Sequence, residues 1–123
     1  MRRILVTEDS ATMRSLLVST IESCGDYEVI EASSGFEALR LLPRENVDLI
    51  ITDINMPDIN GLELISYVRK SANYSKTPLF IISTEGREKD VERGLLLGAD
   101  EYLVKPIDPV RLQELIIRYI GEA

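Results

Sequence analysis

Residues that can bind metal ions or phosphate follow four short apolar runs of the sequence. They are Glu8 and Asp9 after ILVT, Asp53 after LIIT, Ser83 after LFII and Lys105 after YLV. A carboxylate buried at the end of an apolar strand is costly unless its charge is paired or used. If the four runs lie side by side, the three acids, the hydroxyl and the lysine form one polar pocket.

Three carboxylates in one pocket call for a cation, because like charges at short range raise one another's pKa values. Mg²⁺ prefers oxygen ligands and usually takes one or two carboxylates together with waters and a phosphate. The three acids (−3), Lys105 (+1) and one divalent cation (+2) sum to zero. The chain has no histidine and a single cysteine, Cys24, which argues against zinc or copper. The pattern therefore predicts an Mg²⁺ site.

Carboxylates that bind Mg²⁺ beside a lysine are equipped to receive a phosphoryl group. Asp53 can attack phosphorus to give an aspartyl phosphate, while Mg²⁺ and Lys105 offset charge on the transferred oxygens. The patterns GxxxxGK[ST] and GxGxxG are absent, so the phosphoryl group is expected from another protein or a small phosphodonor. Taken singly, Asp9 or Asp58 is better explained as a helix cap or solvated loop residue, and for Asp58 we keep that interpretation.

The elements that must position these residues alternate in type along the chain. The predicted strands are Ile4 to Thr7, Tyr27 to Ala32, Asp48 to Asp53, Leu79 to Ser83 and Tyr102 to Lys105. Helical spacing follows each run, and Ser34 with Glu37 and Asp108 with Pro109 mark two helix starts. This order predicts an α/β fold, a doubly wound five-stranded parallel sheet. The most hydrophobic runs suit central strands, in agreement with the strand order 2-1-3-4-5. In a sheet of this order the functional crevice lies beyond the carboxyl ends of the strands.

Length and charge limit the possible functions. A chain of 123 residues with no break in composition is expected to form one domain, residues 1–123. Its 21 acidic and 14 basic residues give a net charge of −7, which disfavours direct binding to nucleic acid. The first apolar run is too short for a signal peptide, and no run is long enough to cross a membrane. With one cysteine, these features indicate a cytoplasmic protein.

With these motifs in order, the chain resembles the response-regulator receiver family, the phospho-accepting partners of histidine kinases, and in particular its single-domain, CheY-like members. The resemblance covers the whole chain and rests on VTEDS, TDINMPDINGLE, IISTE and YLVKP. It implies a flavodoxin-like (βα)₅ fold and a signalling switch that is not a turnover enzyme. A histidine kinase would be the phosphodonor and a separate protein the downstream target, with the chain itself a monomer.

The resemblance also assigns roles in phosphoryl binding and switching. It implies that Asp53 is the phosphoacceptor and that Ser83 and Lys105 bind the phosphoryl oxygens. Tyr102 matches the family's switch aromatic, which turns inward when the hydroxyl at Ser83 moves toward the phosphate. Lys105 and Pro106 match a pair that the family joins by a cis peptide bond.

The metal ligands follow from the same resemblance. Asp9, Asp53 and the backbone carbonyl of Asn55 are expected to bind Mg²⁺. Glu8 is expected to support the metal through water.

The chain departs from the common family pattern at a few positions. Glu8 and Ser83 replace the commoner aspartate and threonine with the same chemistry, and Thr84 stands where the family usually has alanine. Because Thr84 is bulkier beside the phosphate, it is expected to affect access and phosphoryl lifetime. Asn55 and Glu85 resemble the lifetime-tuning pair of chemotaxis-type receivers, which makes chemotaxis or motility control the first hypothesis for the pathway.

Several other functions remain as alternatives. A haloacid-dehalogenase-like hydrolase also uses Mg²⁺ and a strand-end aspartate, but it needs a second aspartate as general acid and base where this chain has Asn55. A flavodoxin-type binding module would need a phosphate loop in place of Glu8 and Asp9. Within the receiver family, a phosphorelay intermediate, a phosphate sink or a domain cut from a larger regulator are the other possibilities.

Overall fold

The computed structural model of the protein describes residues 1–121, in which strands and helices alternate. In chain order these are β1 (Arg3–Thr7), α1 (Ala11–Glu22), β2 (Glu28–Ala32), α2 (Gly35–Leu41), β3 (Leu49–Asp53), α3 (Gly61–Lys70), β4 (Leu79–Ser83), α4 (Glu88–Leu97), β5 (Glu101–Val104) and α5 (Pro109–Ile120). No helix in this part of the chain has the length and apolar character needed to cross a membrane.

The five strands form one parallel sheet in the order β2-β1-β3-β4-β5. This confirms the predicted doubly wound α/β fold and its strand order. Some predicted strand ends were wrong by one residue. Tyr27 precedes β2. Its hydroxyl donates to the carbonyl of Gly121 (2.7 Å). Lys105 follows β5, although its N–H still donates to the carbonyl of Ser83 (2.7 Å) at the end of β4.

Two apolar layers cover the two faces of the sheet. One face packs against α1 and α5 through Leu17, Ile21, Leu112, Leu115 and Ile116, and the other packs against α2 and α3 through Ala38, Leu64, Ile65 and Val68. Every residue of β3 and β4 is buried, as expected for central strands with helices on both sides. The sheet is therefore a rigid support for the residues at its carboxyl edge.

Side-chain caps begin four of the five helices described. The capping residues are Ser10, Ser34, Asn60 and Asp108. Both predicted helix starts are confirmed. At the first of them, the Glu37 carboxylate accepts from the N–H of Ser33 (2.8 Å) and not from that of Ser34. Helix α4 differs, because it follows Arg87 without a side-chain cap bond and its one buried residue is Gly94.

Candidate functional site

The three predicted acids meet at the carboxyl ends of β1 and β3. The strand register pairs Thr7 with Thr52, so the next residues, Glu8 and Asp53, lie level with each other. Carboxylate oxygens of Glu8, Asp9 and Asp53 all lie within 4.8 Å of one another. Glu8 is 1% exposed and Asp53 4%, whereas Asp9 faces solvent. The cluster therefore combines two buried carboxylates with one at the mouth of the pocket.

Lys105 reaches into this cluster from the end of β5. Its Nζ donates to Oε1 of Glu8 (2.8 Å) and to Oδ2 of Asp53 (3.2 Å). Burial lowers the pKa of Lys105, but its hydrogen bond to Glu8 and the charge of Asp53 outweigh this effect, so the pKa is raised. The lysine is thus held in its charged form between the two buried acids.

The charge of the cluster remains unbalanced after that pairing. Three carboxylates and one ammonium leave a formal charge of −3 + 1 = −2. Burial, followed by the hydrogen bond and charge of Glu8, raises the pKa of Asp9, which shows that a further negative charge is disfavoured there. The donor set consists of carboxylate oxygens, the ligands preferred by hard divalent cations. These residues can hold a metal ion.

The loop after Asp53 is packed against the backbone of that residue. The N–H of Asn55 donates to Oδ1 of Asp53 (3.3 Å), and the N–H of Gly61 donates to the carbonyl of Ile54 (2.9 Å). A Cβ on Gly61 would lie 2.5 Å from the carbonyl oxygen of Asp53, so only glycine fits this approach. The Asn55 peptide therefore lies beside the Asp53 carboxylate, and the Asn55 side chain is exposed.

Ser83 ends β4, the strand next to the one that Asp53 ends, and Tyr102 lies on the edge strand β5. Ser83 is fully buried, and its Oγ accepts from the N–H of Glu85 (3.0 Å). The hydroxyl of half-buried Tyr102 donates to the carbonyl of the same Glu85 (2.6 Å). Burial raises the pKa of Tyr102, and the nearby Ser83 hydroxyl partly opposes this. The Glu85 backbone thus connects the two side chains, while the side chains of Thr84 and Glu85 face solvent.

Asp58 lies outside the acid cluster, as the sequence analysis expected. Asp58 lies in the loop before α3 but caps α2. Its carboxylate accepts from the N–H groups of Gly35 (3.2 Å) and Phe36 (3.0 Å) at the start of α2. The bond from Phe36, above all, lowers the pKa of Asp58 to about 2. No local pattern indicates this contact, because the partners are 22 and 23 residues away.

Arg14 also supports the site, although no motif in the sequence pointed to it. Its Nη1 donates to the carbonyl of Glu8 (2.7 Å), and its Nε pairs with Glu31 (3.2 Å). Arg14 lies in the first turns of α1, close in sequence to the loop that carries Glu8, but the sequence does not show which atom it binds. Also at this edge, the peptide between Lys105 and Pro106 is cis, as expected.

Comparisons with known proteins agree with this geometry. The response regulator receiver domain family matches residues 4–117. A chemotaxis protein CheY homologue of Campylobacter jejuni is 40% identical over 120 residues, which cover 97% of this chain and 92% of that protein.

Solved structures give the same result. The chemotaxis response regulator CheY4 of Vibrio cholerae has a TM-score of 0.89 and 34% identity, covering 98% of this chain and 99% of that one. The receiver domain of a Pseudomonas aeruginosa sensor histidine kinase, with a magnesium ion coordinated in its active-site cleft, has a TM-score of 0.88 and 26% identity over 98% of both chains. With its fold, acid cluster and matching residues, the chain belongs to the response regulator receiver family, the phospho-accepting switches of two-component signalling.

Proposed function

We propose that Asp53 accepts the phosphoryl group and that Mg²⁺ is the metal ion of the acid cluster. The observation that carries this proposal is the approach of Glu8, Asp9 and Asp53 within 4.8 Å, with Lys105 bonded to two of them. Asp9, Asp53 and the carbonyl of Asn55 would hold the ion, with Glu8 acting through water. The magnesium ion in the Pseudomonas aeruginosa receiver domain supports the choice of metal.

The chemistry at Asp53 is a phosphoryl transfer. An Oδ of Asp53 forms a bond to phosphorus while the bond from phosphorus to the imidazole nitrogen of the kinase phosphohistidine breaks, and the imidazole takes up a proton. Bound Mg²⁺ supplies positive charge to the transferred oxygens. Lys105, already 3.2 Å from Asp53, follows the phosphoryl group and donates to one of its oxygens.

The signal passes from Ser83 to Tyr102 through Glu85. When the Ser83 hydroxyl turns to a phosphoryl oxygen, it gives up the bond from the N–H of Glu85, and the carbonyl that holds Tyr102 belongs to the same residue. Hydrogen bonds to a charged group contribute about 1.5–3 kcal/mol each. Two such bonds, from Ser83 and Lys105, are enough to shift a modestly biased two-state equilibrium.

The lifetime of the phosphoryl group depends on the exposed residues around Asp53. Asn55 carries an amide, which cannot act as the general base of a hydrolase. Thr84 and Glu85 face solvent beside the pocket and would limit the approach of water. A haloacid-dehalogenase-like hydrolase is not favoured, because Asp53 ends the third strand of a receiver fold and the second aspartate is missing. The protein acts as a slowly self-dephosphorylating switch and not as a turnover enzyme.

The partners are a histidine kinase and a downstream protein, and the chain itself acts in the cytoplasm. The similarity to CheY homologues, together with Asn55 and Glu85, supports a role in chemotaxis or motility control. The surface that changes is formed by residues 87–120, which include Tyr102. Neither nucleic-acid binding nor membrane insertion is part of the proposal, and the chain acts as a monomer.

Phosphorylation of Asp53 can be tested directly. Incubation with acetyl phosphate and Mg²⁺ is expected to add one hydroxylamine-labile phosphoryl group per chain, as measured by intact mass. The variant Asp53→Asn is expected to remain unlabelled, and a chelator is expected to prevent labelling of the wild type. Asp58→Asn is the matched control, because it changes a nearby acid outside the cluster. Equal labelling of Asp53→Asn would reject the assignment.

The switch can be tested separately through Ser83→Ala. This variant is expected to accept phosphate at Asp53 but to leave Tyr102 in its unphosphorylated environment, because the hydroxyl that responds to phosphate is gone. The measurement is ¹⁹F NMR of protein labelled with 3-fluorotyrosine, before and after addition of acetyl phosphate and Mg²⁺. The same change at Tyr102 in the wild type and in Ser83→Ala would rule out this coupling.

A further inference from the structure

Gly94 lies in the interior of α4, next to the Cδ2–Cε2 edge of the Tyr102 ring. A Cβ on Gly94 would lie 3.1 Å from Cδ2 and 3.2 Å from Cε2 of Tyr102, and 2.6 Å from Cδ1 of Ile81. Favourable contacts between carbon atoms lie near 3.5–4.0 Å, so every residue with a Cβ would press on this ring and on the Ile81 methyl group.

The backbone of α4 gives no reason for a glycine at this position. Among the described residues, the glycines with positive φ are Gly98 and Gly121, so Gly94 has an ordinary helical conformation. Glycine in a helix interior is less favourable than alanine, because it loses more conformational freedom on folding. The close approach of Tyr102 and Ile81, and not the backbone conformation, therefore explains why residue 94 is a glycine.

Tyr102 is held in place from two directions. Its hydroxyl donates to the carbonyl of Glu85 (2.6 Å), in the loop before α4. Its ring packs with the apolar layer that contains Ile81, below Gly94. If the ring were pushed away from α4, the bond to Glu85 would be lengthened or broken, since both contacts depend on the same ring position.

We propose that Gly94 is a positioning residue for Tyr102: by lacking a side chain, it leaves the space under α4 in which the ring lies while the hydroxyl is bonded to Glu85. The size of residue 94 then sets the balance between this position of Tyr102 and a more exposed one. The link to signalling rests on the proposed function, in which Tyr102 responds to Ser83.

The test is Gly94→Ala in protein labelled with 3-fluorotyrosine, with Tyr102→Phe used to assign the Tyr102 resonance. We expect that resonance to move toward the position of an exposed tyrosine, while those of the other four tyrosines stay in place. Because burial raises the pKa of Tyr102 in the wild type, its titration in Gly94→Ala is expected to move toward the ordinary value of about 10.

The matched control is Glu92→Ala, which places alanine at an exposed position of the same helix. An unmoved Tyr102 resonance in Gly94→Ala would overturn the proposal, as would an equal movement in Glu92→Ala. If Gly94→Ala does not fold, the double variant Gly94→Ala with Ile81→Val removes the methyl group at 2.6 Å, and the same two outcomes decide the question.

Labelling with acetyl phosphate separates this inference from the proposed function. Gly94 does not contact the acid cluster, so the wild type and Gly94→Ala are expected to be labelled to the same extent at Asp53. If the wild type is not labelled, the proposed function fails, whereas the Tyr102 resonance still decides the role of Gly94.

Discussion

Asp53 and Asp58 show how two aspartates five residues apart come to different uses. Asp53 is buried beside two further acids and pairs with Lys105. Asp58 is exposed and accepts bonds from the free N–H groups at the start of α2, where the helix dipole also favours negative charge. Asp58 thereby connects the loop after Asp53 to the start of α2.

The Asp58 contact predicts a pH dependence of stability. The pKa of Asp58 is lowered from 3.8 to about 2 in the folded chain, so its bonds stabilise the fold above about pH 4 and are lost as the pH falls toward 2. The variant Asp58→Asn is expected to melt at a lower temperature than the wild type at pH 6, with the difference shrinking between pH 4 and pH 2. Thermal unfolding measured across this range checks it, and a difference independent of pH would contradict it.

At the residue scale, the sequence was sufficient for residues whose positions depend on strand ends. Glu8, Asp53 and Lys105 come together because parallel strands end at one edge of the sheet, and an apolar run followed by a polar residue marks that edge. Arg14 and Asp58 act through backbone atoms of other segments. Such contacts depend on tertiary geometry, since a backbone N–H or carbonyl has no signature in the sequence.

Helix α4 has fewer buried residues than any other of the five helices described. It has no side-chain cap bond, a glycine in its interior and one buried residue, and several of its leucines are exposed. Elements with few buried apolar contacts open at a lower free energy than the rest of a domain. In the proposed switch this helix carries part of the surface that changes, so its weak attachment would allow a small free energy at the site to move it.

The missing cap predicts the effect of supplying one. Arg87→Ser places at the start of α4 a residue whose hydroxyl can accept from the N–H of Asp90, which is expected to stabilise the helix by about 1 kcal/mol. Loss of the exposed Arg87–Asp90 ion pair subtracts little. Amide hydrogen exchange in α4 is expected to slow about fivefold, whereas Arg93→Ser, which removes an arginine without supplying a cap, is expected not to slow it. Equal exchange in the two variants would count against the cap.

At the element scale, the sequence predicted all five strands and their order, with errors of one residue at some strand ends. These ends depend on ladder hydrogen bonds, which a pattern of side chains does not encode. The small number of buried residues in α4 was not predicted. Leu95 and Leu96 make the helix apolar in sequence, but both side chains are exposed in the structure.

The whole molecule carries an excess of negative charge that is concentrated in part at one edge of the sheet. The net charge is −7, and the acid cluster with its lysine accounts for −2 of it. Folding therefore brings Asp53 close to Glu8 and Asp9, from which the unfolded chain keeps it apart. A divalent cation that binds the folded state relieves this repulsion and stabilises the fold by mass action.

Mg²⁺ is accordingly expected to raise the free energy of unfolding by about 1.4 kcal/mol at ten times its dissociation constant. Chemical denaturation with and without Mg²⁺, at equal ionic strength kept with NaCl, measures this effect. Asp9→Asn is expected to lose most of the Mg²⁺ effect and to be more stable than the wild type without metal, because the raised pKa of Asp9 marks an unfavourable charge. Asp26→Asn, which changes an exposed acid outside the cluster, is expected to keep the Mg²⁺ effect, and an equal loss in both variants would indicate charge screening in place of binding.

The register of the sheet also limits how such a chain can change in length during evolution. The paired positions Thr7 with Thr52, Asp53 with Ile82, and Ser83 with Val104 bring the functional residues to one edge at matching heights. Deleting one residue inside a strand would turn the following side chains to the opposite face and shift them by about 3.3 Å. Insertions and deletions that preserve the pocket are therefore confined to the loops at the other end of the sheet, where lineages can diverge without altering the chemistry.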